Sequence, residues 1–144
     1  MANNVPWVIL DVLPRMTDKL ARSLAGGPCV HFARFRFGYG WISGECPNFV
    51  LQVPPSDTNE VPGRVYEGRF GPDTLAVDGG RVVTKCLIPR AAVSEPTQVS
   101  AIVLVDTEGD VIAAGSFLPG WIVPDGEFEV DCILEMKYAR GENG

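Results

Sequence analysis

From Gly126 to Tyr138 the chain reads GEFEVDCILEMKY, an unbroken alternation. Phe128, Val130, Cys132, Leu134, Met136 and Tyr138 share one parity; Glu127, Glu129, Asp131, Ile133, Glu135 and Lys137 share the other. Successive side chains of a strand point to opposite faces, so this spacing places every apolar residue on one side. Such a strand needs sheet neighbours and a covering layer, which commits the segment to a layered β architecture. Its other face carries four carboxylates. These can ligate a metal, do acid–base chemistry, or meet water or a basic partner.

The rest of the chain agrees with that start. A helical period occurs in one place, where Leu13, Met16, Leu20 and Leu24 form a stripe and predict a helix over 13–25. Asp11 is the expected cap, Pro14 suits the first turn, and Gly26–Gly27 ahead of Pro28 ends it. Elsewhere the pattern is strand and turn, with strands expected over 30–37, 49–53, 64–70, 81–88, 99–105 and 110–117. Asp78–Gly80 is a turn signal. DTEG at 106–109 predicts a hairpin with a type I turn and a glycine at its exit. GYGWISGECPN and LPGWIVPDG read as loops. Strands without alternating helices predict a mainly β fold, one N-terminal helix followed by an antiparallel sheet or sandwich. A chain of 144 residues suits one domain, expected over 1–138 with a polar tail at 139–144.

Composition narrows the function. Eighteen acidic residues against 12 basic give a net charge of −6, which disfavours a nucleic-acid partner because phosphate binding needs a basic footprint. No apolar run is long enough to span a bilayer. The opening MANNVPWVILDVLPRM lacks signal-peptide organisation, so synthesis in the cytoplasm is expected.

Chemistry is harder to place. No serine lies in a GxSxG elbow, and no glycine-rich stretch has a phosphate-loop pattern. Cys29 and His31 are two residues apart, on one face if that stretch is a strand, but no third group orients them. Cys29, Cys46, Cys86 and Cys132 contain no CxxC pair, so zinc is not expected. Cys86 and Cys132 read as buried thiols, whereas Cys29 and Cys46 flank a loop and could pair. The row Glu127, Glu129, Asp131 and Glu135 lacks the tight loop of a calcium site and reads as a solvated or partner-facing surface. Ile133 interrupts it and hints at a partner. Tyr39, Trp41 and Trp121 lie in predicted loops, where they could stack on sugars, enter a protein interface or fold back over the core. No catalytic, cofactor-binding or metal residue is expected.

Three stretches carry a resemblance: LPRMTDKLARSLAGG, VPGRVYEGRF, and VSAIVLVDTEGDVIAAGSFLPGWIVPDGEFEVDCILEMKY. In this order they resemble the N-terminal attachment domain of bacteriophage tail-fibre and tail-collar proteins. The resemblance implies a structural virion protein, an adaptor joining baseplate or tail tip to a fibre. It further implies a non-enzymatic homo-oligomer, with a trimer favoured, whose partners are other tail or baseplate proteins and a fibre protein. Members of that family usually continue into a fibre shaft and receptor-binding tip, whereas this sequence stops at Gly144, so attachment rather than host recognition is the expected role. Two rival expectations remain. One is a carbohydrate-binding β-domain using Tyr39, Trp41 and Trp121; the other is a small hydrolase whose polar groups converge from several strands.

Overall fold

A computed structural model describes residues 7–71 and 73–135. It is mainly β, with one helix. In chain order the elements are β1 (Trp7–Ile9), β2 (Asp11–Val12), α1 (Pro14–Leu24), β3 (Phe32–Gly38), β4 (Ile42–Ser43) and β5 (Val50–Leu51). They continue as β6 (Tyr66–Arg69), β7 (Leu75–Asp78), β8 (Arg81–Ile88), β9 (Thr97–Asp106), β10 (Val111–Ile122) and β11 (Phe128–Glu135). One sheet has the order β1-β11-β8-β7 and a second β2-β10-β9-β3-β6; β4 and β5 form a separate hairpin. Both large sheets feed one core, so the fold is a sandwich.

The alternation of the closing segment does what its period requires. Val130, Cys132 and Leu134 have no exposure and face the second sheet, while Phe128 is half-buried with its ring 5.8 Å from that of Phe37. Met136, Lys137, Tyr138 and the expected tail at 139–144 lie outside the described residues. Strand β9 is buried on both faces. Val99, Ile102 and Leu104 enter the sandwich, and Ala101, Val103 and Val105 join Leu13, Val61 and Trp41 in a second cluster. A near-continuous apolar run is the signature of such a doubly covered strand. The β9–β10 hairpin turns as expected, with Gly109 at φ 88° and its N–H bonded to the Asp106 carbonyl.

The helix departs from expectation at its start and along its stripe. Asp11 does not cap it, because Asp11 pairs with Ala114 as part of β2. Leu13 is the N-cap residue, with no side-chain cap, and its N–H bonds to the Ile112 carbonyl at 3.0 Å. Leu13 and Met16 are buried and Leu20 half-buried, but Leu24 is 91% exposed, so only the first part of the stripe meets the core. The C-terminus closes as the glycines foretold. Gly26 takes φ 99°, and the Gly27 N–H reaches the Arg22 carbonyl, the six-to-one bond of a Schellman motif.

The sheets are antiparallel as expected apart from one pairing, β1 running parallel to β11. Two further corrections concern strands. Residues 49–53 shrink to the two-residue, exposed β5. The expected loop LPGWIVPDG is largely strand, because β10 runs on to Ile122 and places Trp121 opposite Gln98. What hid the continuation is an irregularity in which Phe117, Leu118 and Pro119 stand opposite the single residue Ser100. A proline is tolerated there because a bulge asks for no ladder donor. Among the described residues no helix is long and apolar enough to cross a membrane.

Candidate interaction surface

That irregularity in β10 shapes a broad concavity. A groove of about 650 Å³ runs between β1 and the bulged part of β10. Its walls include Trp7, Val8, Ile9, Leu51, Phe117 and Leu118, with Phe128 and Val130 at its base. Phe117 turns toward Phe37 and Phe128, with ring centroids at 6.1 and 6.4 Å. Leu118 points out and is 63% exposed, as are Trp7 at 64% and Ile9 at 52%. Gly120 keeps the base open to Phe128, since a Cβ there would lie 2.7 Å from the Phe128 ring. Ser116 Oγ donates to the Gln52 carbonyl at 2.9 Å and so holds the segment following β5 against the bulge. The lining contains no charged side chain. An apolar cleft edged by exposed large side chains is a candidate binding surface, because water there is displaced at a gain.

The predicted acidic row lies on the outer face of the same sheet, and it is not a simple solvated face. Glu127 is exposed, but Glu129, Asp131, Ile133 and Glu135 are half-buried. Strand register explains this. Rows across the sheet read Leu87–Glu129, then Lys85–Asp131–Trp7, then Ala76–Val83–Ile133–Ile9, then Asp78–Arg81–Glu135. Ile133 therefore belongs to an apolar row rather than interrupting an acidic one. Lys85 pairs with Glu129 at 3.6 Å. Asp131 Oδ1 is buried without a hydrogen-bond partner. Burial, and then the Glu129 charge, push the Asp131 carboxyl up, with Lys85 partly opposing them.

The three loop aromatics do not act as a set. Trp41 is half-buried and packs on the second cluster, its carbonyl accepting the Gln52 N–H at 2.8 Å. Ser100 fixes the preceding residue, its Oγ both accepting from the Gly40 N–H and donating to the Gly40 carbonyl at 2.8 Å. Tyr39 is 39% exposed, and Trp121 is 60% exposed but on a strand.

A second polar constellation escaped the sequence reading. At the β9–β10 turn, oxygens of Asp106, Glu108 and Asp110 lie within 4.8 Å of one another. Lys19 Nζ from α1 sits among them, at 2.5 Å from Asp106, 2.7 Å from Glu108 and 2.6 Å from Asp110. Asp106 also accepts the N–H groups of Glu108 and Asp110 through Oδ1. Burial opposes charge on both Lys19 and Asp106, but the direct bonds win. They hold the Asp106 carboxyl below its usual range and raise the Lys19 ammonium. The ammonium stands where a cation would, so the cluster is internally satisfied. The only trace in the sequence is the acid spacing in DTEGD; the lysine lies 87 residues before Asp106.

The cysteines are plain. Cys29 and Cys46 are exposed and unpaired, and Cys29 and His31 precede β3 rather than sharing a strand. Cys86 and Cys132 are buried as expected, their Sγ atoms 3.9 Å apart across β8 and β11. The groove residues Trp7, Ile9, Leu51 and Leu118 were missed. The apolar run VPWVIL was the available signal for the first two, but it gives no hint of sheet placement.

In comparisons with known proteins the chain matches no family model, no curated protein and no solved structure.

Proposed function

We propose that this chain is a structural attachment module of a bacteriophage tail, an oligomeric adaptor that joins baseplate or tail tip to a fibre. The sequence resemblance supplies the setting. The observation that carries the reading is the uncharged groove between β1 and the β10 bulge, edged by Trp7, Ile9 and Leu118. Such a surface gains free energy by being covered and offers nothing to transfer a proton or hold a reacting atom. In this reading the chain binds and does not catalyse.

The test uses tail particles made without the chain and then supplied with it. Leu118→Glu places a charge in the groove at an exposed position. The variant should melt like the parent and fail to enter the particle. Normal incorporation would overturn the reading. Mass measurement of the parent in solution should give a homo-oligomer, with a trimer expected.

A further inference from the structure

We infer that the groove receives an extended segment of a partner protein, added as a strand beside β1 and carrying a basic residue opposite Trp7. This rests on the attachment reading and names the chemistry of the partner. Two observations carry it. First, among the described residues β1 is an edge strand, paired with β11 on one side only. An edge presents backbone donors and acceptors that an incoming strand completes. The groove runs alongside that edge, so side chains on one face of the added strand meet Phe117, Leu118 and Phe128.

Second, one acid of the outer face is incompletely matched. Strands β1 and β11 carry no lysine or arginine; on the neighbouring β8, Lys85 pairs with Glu129 and Arg81 stands opposite Glu135, while Asp131 Oδ1 is buried without a hydrogen-bond partner. The rows of the outer face extend onto the newcomer. The row Lys85–Asp131–Trp7 would gain a fourth member next to Trp7, roughly two strand spacings, about 10 Å, from β11. A lysine or arginine there lies over the exposed indole and turns its charge toward Asp131, whose Oδ1 lacks a partner. The row Val83–Ile133–Ile9 calls for an aliphatic residue two positions away. Residues between these point into the groove and are apolar. A second copy of this chain joined edge to edge fits less well, because β1 is Trp7–Val8–Ile9 and brings no lysine or arginine, and each copy carries −6.

The experiment selects a displayed library of random short peptides on the full chain, with counter-selection on Leu118→Glu. Enriched peptides should be extended, with a basic and an aliphatic residue two positions apart and apolar neighbours. Leu118→Glu should weaken a selected peptide by about tenfold or more, and Trp7→Ala should remove the preference for the basic residue. Circular dichroism and melting of each variant confirm that it is folded. Acidic or helical selected peptides, no enrichment over the counter-selection, or undiminished binding by Leu118→Glu would overturn the inference. Self-association of the parent that Leu118→Glu abolishes would also overturn it, by making a second copy the occupant. Peptide capture alongside normal particle incorporation of Leu118→Glu would sink the attachment reading and leave this inference standing. Failed incorporation without peptide capture would do the reverse.

Discussion

Strand β10 connects two regions that answer the same problem in opposite ways. At its start, the turn from β9 gathers three carboxylates, and α1 brings Lys19 into their midst at 2.5–2.7 Å. Near its end, three residues oppose one and leave Trp7, Ile9 and Leu118 in water. The first region has charges with no unmet need; the second has apolar surface with an unmet need. If the proposed function holds, density of ionisable groups is a poor guide to where this molecule acts. What matters is which groups its own fold leaves unmatched.

The shared core sets the scale for breaking that contrast. Leu134→Ala, at a position with no exposure, should cost about 2–5 kcal/mol in chemical denaturation, the range for a truncation that leaves a cavity. Lys19→Met should come next, at about 2–3 kcal/mol. That is below the cost of breaking a fully buried pair, because Glu108 and Asp110 are half in water and their repulsion is screened. A negligible loss would mean that the turn is not held by its charges.

Acid titration sharpens the comparison. The folded Asp106 carboxyl lies below its unfolded value, so its contribution is present above that value, about pH 4, and is lost as pH falls from there through the lower folded value. Lys19→Met should flatten that loss. Asp131 has the opposite sign, since its raised carboxyl gains stability on protonation as pH falls. Asp131→Asn should therefore melt higher at neutral pH and lose stability more steeply in acid. A melting series from neutral to acid pH reads both. Equal slopes for parent and both variants would remove the electrostatic half of the contrast.

The smallest effect belongs to the groove. Leu118→Ser should change stability by no more than about 0.5 kcal/mol, as exposed substitutions usually do. Melting collapse would mean that the groove supports the fold rather than waiting for a partner.

Local pattern made much of the fold legible. The closing strand followed from its alternation, the hairpin from DTEG, and the end of the helix from Gly26–Gly27. Reading failed where a residue's role depends on a distant neighbour. Asp11 looks like a cap until β2 pairs with β10. Leu118 and Trp121 look like loop residues until β10 is seen to continue past its bulge. The acidic row was visible as a row, but only register with β1 and β8 shows that Ile133 belongs to an apolar band and that Asp131 lies beside Trp7. The Lys19 cluster needs contacts across 87 to 91 residues, which periodicity cannot supply.

The parallel pairing of β1 with β11 has a kinetic consequence. Residues 7–9 find their partners at 131–133, so this contact closes a loop spanning most of the described chain. Loop closure on that scale is slow, and long-range pairing of this kind delays folding. During synthesis β1 emerges first and has no sheet to join until β11 leaves the ribosome. One wall of the groove is thus assembled last. A partner that reads that groove would ignore nascent or truncated chains and capture only those whose sandwich has closed, so the order of assembly is written into the order of translation.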